Sequence, residues 1–581
     1  MSQTFLVTRL HEARQALSAM PAASVPSHTA LLCRHIVLRG FARCDTKARA
    51  LEEHLMVRIA NRSPQKRLTS PVAVHAAATA VIFLAALVCV ATLAGCGVTS
   101  SSPSPPASTP VTNLTAGDAQ ALVQSAATAA DGPMVIAVVD RLGRILALYR
   151  KAGAPITVTG NFGATVDANE LAVSLARTAA FFSNDQAPLS SRTVRFISGI
   201  HFPPGVTNAS NAPLYGIENT NRGCTLSTNY AAGNAIPPSR SISGTQPGLG
   251  ITTGKANLDD GDPNAVNPGG VPIFKDGHAV GGIGITGVAA NVAEYTGFAA
   301  IAANGFAPTP PSPGVVIIGG VSLPFVNQTT LPSGVGAGTF AGSYVVSPTA
   351  SAGAPPDGYL VAAAAGPLGG LSAADVTQII TNAVNTASLT RAVIRLPIGS
   401  RARMVIAVTD LDGTIIGLYR MPDATVFSID VAATKARNMV YFNSSTRSTA
   451  DLPSVPIGTA VTNRTIGFGA QPFFPPGIDG TQPGPFFTLY TQDIANPCTQ
   501  GSQPTGPNQS GVVFFPGSVG LYRNGVLVGG LGVSGDGVDQ DDYVTAGGAV
   551  GFAAPAASTA DHITLQGVPL PYQDFPPNPT E

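Results

Sequence analysis

At 581 residues the chain has room for about two to four domains, each long enough to bury its own core. It carries 32 Lys and Arg against 32 Asp and Glu; 11% of residues are charged and 44% hydrophobic, and there are 64 Gly, 49 Pro and no Trp. Zero formal net charge, with no basic stripe in the mature region, excludes a nucleic-acid partner, and the hydrophobic share excludes a wholly disordered chain.

Residues 1–55 precede an export signal, and Met56 is a conventional start, so no domain is expected in that extension. Arg58, Arg62, Lys66 and Arg67 then give a positive flank to the uncharged apolar run 71–95, the pattern of a secretory signal. The run ends in Leu93-Ala94-Gly95-Cys96, which resembles a bacterial lipobox and implies that Cys96 is lipidated. Residues 56–96 are therefore read as a lipoprotein signal segment and 97–112 as a Ser/Pro-rich tether. An uncleaved membrane anchor is the alternative, because about 20 apolar residues suffice to span a bilayer. Either way the remainder lies outside the cytoplasm, in the cell envelope.

The rest repeats itself. Met134–Arg150 (MVIAVVDRLGRILALYR) matches Met404–Arg420 (MVIAVTDLDGTIIGLYR), and later motifs follow in the same order. Arg192-Thr-Val and Phe202-Pro-Pro-Gly match Arg464-Thr-Ile and Phe474-Pro-Pro-Gly; Gly281–Gly287 matches Gly529–Gly535; Gly320-VSLPF matches Gly567-VPLPY. Unit one is placed at 113–345, a Pro/Ala/Gly-rich connector at 346–370 and unit two at 371–575. Each unit opens on an amphipathic helix capped by Thr115 or Ser372, with an acid three residues on. Two apolar strands follow, then an Ala-rich helix, a long Gly/Pro/Asn loop, and a second hairpin turning at Asp276-Gly277 or Asn524-Gly525. A short helix and a terminal strand close each unit. The class is α+β, two tandem domains with mostly antiparallel sheets. Unit two alone carries the segment Leu389–Arg403.

Both Gly282-Ile-Gly284-Ile-Thr286-Gly287 and Gly530-Leu-Gly532-Val-Ser534-Gly535 satisfy GxGxxG. A dinucleotide site needs that motif in a parallel βαβ unit, and here it falls on the second strand of an antiparallel hairpin. These glycines either let a ligand or a neighbouring backbone approach the strand, or only accommodate a tightly packed helix. Arg150 and Arg420 close equivalent strands, and Arg177 and Arg437 lie on equivalent helices; such guanidiniums fork onto carboxylates when they line a pocket. Asp423 is the expected partner of Arg420. No GxSxG or HExxH motif is legible, which makes an enzyme the weaker class.

LYRMPDA (Leu418–Ala424), TKAR (Thr434–Arg437) and GGLGVSGDGVDQDD (Gly529–Asp542) together resemble the GlcG/HbpS family, and the resemblance extends over both units. It implies profilin-like domains with five-stranded antiparallel sheets, and binding of a small cofactor-like ligand, haem or a related tetrapyrrole foremost. The candidate ligand residues of unit two are Arg420, Asp423, Lys435, Arg437, Gly530, Gly532, Ser534 and Gly535. Those of unit one are Arg150, Arg177, Gly282, Gly284 and Thr286. Unit one departs from the pattern, with Gly153 where unit two has Asp423 and Leu175 where it has Lys435. No histidine is shared between units: His201 matches Phe473, His278 matches Val526, and His562 is the third. Met421, Tyr149 and Tyr419 are equally open as axial ligands to an iron.

Calcium is a second cofactor candidate, through Asn257, Asp259, Asp260, Asp262 and Asn264 or through Asp536, Asp539, Asp541 and Asp542. The latter set more simply charges the first turn of the last helix. Cys224 and Cys498 stand at matching points after Tyr215 and Tyr490, and no CxxC spacing supports zinc. Two such cysteines in an oxidising compartment are expected to pair, joining units that pack as an internal pseudo-dimer. The expected function is a lipid-anchored protein that binds a small ligand for sequestration, delivery or sensing. The alternatives are an envelope interaction module without tetrapyrrole, or an enzyme acting on a small organic acid.

Overall fold

The structure is a computed structural model and describes residues 111–224, 242, 247–253, 267–309 and 315–581. The N-terminal extension, the signal segment with Cys96, most of the tether and the acidic loop from Asn257 to Asn264 lie outside the described residues.

Unit one begins with helix α1 (Ala116–Ala129), where Thr115 and Asp118 form a reciprocal capping box. Strands β1 (Val135–Asp140) and β2 (Ile145–Lys151) pair antiparallel, with Val135 opposite Arg150. A small hairpin, β3 (Thr157–Thr159) and β4 (Thr165–Asp167), leads into α2 (Ala168–Phe182), whose first amides donate to the Asp167 carboxylate. After α3 (Ser191–Phe196) come β5 (Gly270–Lys275) and β6 (His278–Thr286), turned by Asp276 and Gly277 at φ 53° and 82°. Positive φ at both turn residues is what makes Asp-Gly such a strong hairpin signal. Helix α4 (Ala290–Ala303), the two-residue ladder β7 (Ile317–Ile318) and β8 (Val321–Ser322), and β9 (Gly342–Val346) complete the unit.

Unit two runs β10 (Gly358–Val361), α5 (Ala373–Leu389), β11 (Val405–Thr409), β12 (Ile415–Arg420) and α6 (Phe427–Phe442). Then come α7 (Asn463–Gly469), α8 (Phe487–Ala495), β13 (Ser518–Arg523), β14 (Val526–Ser534) and α9 (Val538–Gly548). A last ladder pairs β15 (Thr564–Leu565) with β16 (Val568–Pro569). Each unit builds one five-stranded sheet, β5-β6-β1-β2-β9 and β10-β12-β11-β14-β13, with every pairing antiparallel. The units are alike in detail: Phe202–Pro203 and Phe474–Pro475, at matching positions, are both cis.

The fifth strand differs from expectation. The repeated Gly320-VSLPF and Gly567-VPLPY segments supply only the two-residue ladders, not a terminal strand of the main sheet. The fifth strands are β9 and β10, which border or lie inside the expected connector 346–370. The outer edges of β2 and β12 carry unpaired backbone groups, and the chain passing between the units satisfies both edges in turn.

Side chains alternate across each sheet with the period of two that a strand imposes. In β1, Val135, Ala137 and Val139 join the core under α2, whereas Ile136 and Val138 join the core under α1 and α4. In unit two, α6 covers one face, and α5 and α9 cover the other. All residues of α6 and nearly all of α2 are buried, more than one sheet could cover. The reason is that the two units share a core: Phe182 stacks on Phe427 with centroids 4.0 Å apart, and one apolar cluster runs through both.

Candidate functional site

The glycine-rich strands are covered by helix backbone. A Cβ on Gly282 or Gly284 would run into the carbonyls of Ala176 and Ala172 on α2, and one on Gly530 or Gly532 into those of Ala436 and Ala432 on α6. The side-chain-free stretch therefore lets a helix settle onto the sheet, and the expectation that these strands present a glycine-lined face to a guest is corrected. Thr286 and Ser534 end the two strands, both buried, and the Ser534 hydroxyl donates to Ser428 Oγ at 3.0 Å.

The candidate arginines hold backbone. Arg420 donates through Nε and Nη2 to the Ala424 carbonyl, and Arg150 donates through Nη2 to the Ala154 carbonyl at 2.8 Å. Arg177 and Arg437 each donate Nε to the turn of the first hairpin, at Gly143 O (2.8 Å) and Gly413 O (3.0 Å). Burial pushes the Arg177 guanidinium down to about 10. The expected Arg420–Asp423 pair is not formed. Arg420 pairs with Asp357, while Asp423 accepts from Arg395 Nη1 at 2.6 Å and from the Asp185 amide of unit one at 3.2 Å. Asp423 sits at φ 59°, and Arg395 rather than Arg420 takes its carboxylate.

Arg395 is the residue that motif reasoning missed. It lies in the segment found only in unit two, is buried, and bridges Asp423 to Asp536 while donating to Gln186 Oε1 of unit one at 3.1 Å. Around it, Asn184 and Gln186 of unit one donate to the carbonyls of Ile394 and Leu396, both at 2.9 Å. The signal available in the sequence was the insertion itself, in which Arg395 interrupts the apolar run from Ala392 to Ile398.

The four acids at the start of α9 are each matched to a cation. Asp536 takes Arg395, Asp541 takes Lys435 Nζ at 2.9 Å, and Asp539 and Asp542 take Arg464 at 2.5 and 2.6 Å. Burial pushes the Asp541 carboxyl up to about 7 and Asp542 up to about 6, against the pull of Lys435 and Arg464. Burial also lowers Lys435, which lies 4.9 Å from the Phe515 ring centroid. Among the described residues no group of three or more His, Cys, Asp or Glu is placed to hold a metal ion. Unit one keeps the equivalent of Arg464–Asp542 as Arg192–Glu294 at 2.6 Å. Where unit two has Lys435 and Asp541, unit one has Leu175 and Ala293.

A cavity of about 100 Å³ opens where β14 ends and α9 begins. Its wall is mainly apolar: Ile197, Pro213, Leu214 and Ile318 come from unit one, and Val393, Ile394, Phe427 and Val538 from unit two. Ser534, Gly535, Gly537, Asp539, Gln540 and Asp541 complete the lining. Of the residues predicted to bind a haem-class ligand, the cavity brings together Ser534 and Gly535 alone.

The candidate iron ligands lie elsewhere. His201 pairs with Asp479 at 2.8 Å, His278 with Asp185 at 2.6 Å, and His562 contacts the Ala556 carbonyl at 2.9 Å. Met421 is buried with its sulfur on the Met404 amide; Tyr149 stacks on Phe340, and Tyr419 meets Tyr359 edge-on. Cys224 and Cys498 form a disulfide with Cα atoms 5.4 Å apart and so link the two units, which the stacked Tyr215 and Tyr490 also bridge.

A family profile described as "Haem degrading protein HbpS-like" matches residues 371–549. The chain is 28% identical over 153 residues to the corrinoid adenosyltransferase PduO of Salmonella typhimurium (strain LT2). That stretch is 26% of this chain and 33% of PduO, so the chain spans about a third of the relative's length. Among solved structures, a PduOC:heme complex is 24% identical with a TM-score of 0.21, covering 32% of this chain and 96% of that one. The Klebsiella pneumoniae protein ORFY is 19% identical with a TM-score of 0.21, covering 31% and 90%.

Proposed function

We propose, from the likeness of residues 371–549 to the HbpS-like family, that this chain is an exported, lipid-anchored envelope protein that binds a small cofactor-like ligand of the haem class. In this reading it sequesters, delivers or senses that ligand, Cys96 carries the lipid, and the two units act as an internal pair with unit two as the binding half. The profile match is the observation that carries it. The PduO relative, known as a corrinoid adenosyltransferase, adds support for tetrapyrrole chemistry in this lineage.

The residues of the inter-unit cavity do not fit haem. Sites for drug-sized ligands run to about 300–1,000 Å³, well above the roughly 100 Å³ here, and no His, Cys, Met or Tyr stands on the wall. That mismatch favours a second reading, an envelope interaction module that binds no tetrapyrrole. Haemin titration of the full mature chain separates the two. A saturable Soret shift at one equivalent, resistant to competition by albumin, is the expected result; a shift that never saturates overturns haem binding. Radiolabelled palmitate should enter the wild-type chain and not Cys96→Ser, and equal labelling would remove the lipid anchor.

A further inference from the structure

The segment that only unit two carries, Leu389–Arg403, does more than deliver Arg395 to the seam. It leaves the end of α5 and returns to β11 as a short excursion. Ala392 N donates to Ser400 O at 2.8 Å, Ala402 N donates to Thr390 O at 2.9 Å, and Arg391 and Arg401 pair in an isolated antiparallel bridge. Arg395 and the Val393 amide, which donates to Asp536 O, pin the inner side. On the outer side Leu389 and Ile398 are 62% and 61% exposed, and Ile398 lies in the turn closed by Ser400 N on Pro397 O. The neighbouring guanidiniums donate to backbone carbonyls alone: Arg391 to Pro577 O at 3.4 Å, and Arg401 to Leu389 O and Thr580 O at 2.9 and 3.1 Å. Among the described residues neither Arg391 nor Arg401 has a carboxylate partner, and two like charges opposed across a bridge repel each other. A single exposed Leu or Ile carries no message, but two of them beside unneutralised arginines have the composition of an interfacial membrane contact.

We propose that this excursion docks on an anionic bilayer, with Arg391 and Arg401 on the headgroup phosphates and Leu389 and Ile398 entering the boundary between headgroups and acyl chains. A free phosphate would satisfy the arginines and leave the apolar pair in water. The choice of a bilayer rests on the lipid-anchor reading: from Cys96 to Val111 the chain reaches at most about 50 Å even when fully extended, which holds the folded body close to the membrane. Unit one passes from α1 to β1 through residues 130–134 alone and has no such excursion, so the contact gives the pair one membrane-facing side.

Vesicle flotation of the unacylated mature chain, residues 96–581 with Cys96→Ser, tests the contact apart from the anchor, whose own test is palmitate labelling. Phosphatidylcholine vesicles containing one-third phosphatidylglycerol should carry the chain upward, and pure phosphatidylcholine should bind it at least tenfold more weakly. Arg391→Gln with Arg401→Gln should weaken anionic binding at least tenfold, since each arginine near such a surface is worth about fivefold. The corresponding pair of lysine substitutions keeps the charge and should restore binding, which a merely structural loss would not allow. Ile398→Asp should also weaken flotation, whereas Val526→Asp, equally exposed at the start of β14, should float as wild type does. No binding to anionic vesicles, equal binding to both lipids, or binding undiminished in both the arginine and the Ile398 variants overturns the proposal. So does capture by poly-glutamate without flotation, which assigns the arginines to an acidic protein.

Discussion

Lys435 and Asp541 are fully buried and paired in unit two, while unit one fills the same two places with Leu175 and Ala293. Nature has thus run the double substitution once within the chain. Removing one partner of a buried pair strands the other charge and costs about 3–5 kcal/mol, whereas replacing both with apolar groups is often close to neutral. Lys435→Leu should therefore lower stability by that amount in urea unfolding, and Lys435→Leu with Asp541→Ala should recover most of it; equal losses in both would refute the pairing argument. Asp430 gives a pH dependence. Burial raises its carboxyl from 3.8 to about 6, against the Asn221 amide that donates to it at 2.8 Å. A raised folded-state value means that the native state holds its proton longer than the unfolded chain does. This contribution is thus complete below about pH 4 and is lost as pH climbs through about 6, a swing of about 3 kcal/mol at most. Asp430→Asn keeps the acceptor for Asn221 and should flatten that part of the stability profile between pH 4 and 8; an unchanged slope would show that other groups set it. Residue roles were legible where motif and partner lie close together, as with Thr115 and Asp118. Arg395 was not, because Asp423 and Asp536 lie 28 and 141 positions away and only the fold brings them together.

Among elements, the hairpins and their turns were readable from sequence because Asp-Gly and Asn-Gly fix their own backbone geometry. Helix caps were readable for the same local reason. The edge strands β9 and β10 were not: Gly342–Val346 and Gly358–Val361 are short, lie amid Gly, Pro and Ala, and become strands because β2 and β12 offer unpaired edges. The repeated GxGxxG and its antiparallel context were visible, but its purpose was settled only by which helix lies over it. That purpose can be measured. Gly532→Ala would press a methyl against the Ala432 carbonyl and the Ala436 amide and push α6 off β14, a cost of about 1–3 kcal/mol. Gly336, where an added methyl meets nothing within 4 Å, is the control, and its Ala variant should stay within about 0.5 kcal/mol of wild type. If Gly532→Ala unfolds at the same urea concentration as the control, the strand has room to spare and α6 is not what requires glycine there.

At the scale of the molecule, several ties join the units, among them the Phe182–Phe427 stack inside a common core, the docking of Asn184 and Gln186 on the 394–396 segment, and the Cys224–Cys498 bond. They act differently. The disulfide joins positions 274 residues apart, and in the chain-entropy account a loop that long restricts the unfolded chain by on the order of 5 kcal/mol, with little effect on which parts melt together. The shared core sets cooperativity, because neither α2 nor α6 can stay covered if its partner unit opens. A Cys224→Ala/Cys498→Ala variant should therefore melt at a lower temperature than wild type and still give a single calorimetric transition, with calorimetric and van't Hoff enthalpies in agreement. Two separated transitions in that variant would mean that the disulfide, rather than the buried helices, makes the pair one folding unit. The same result would weaken the case for a cavity on the seam, since a wall formed by two independently melting bodies would not keep its shape.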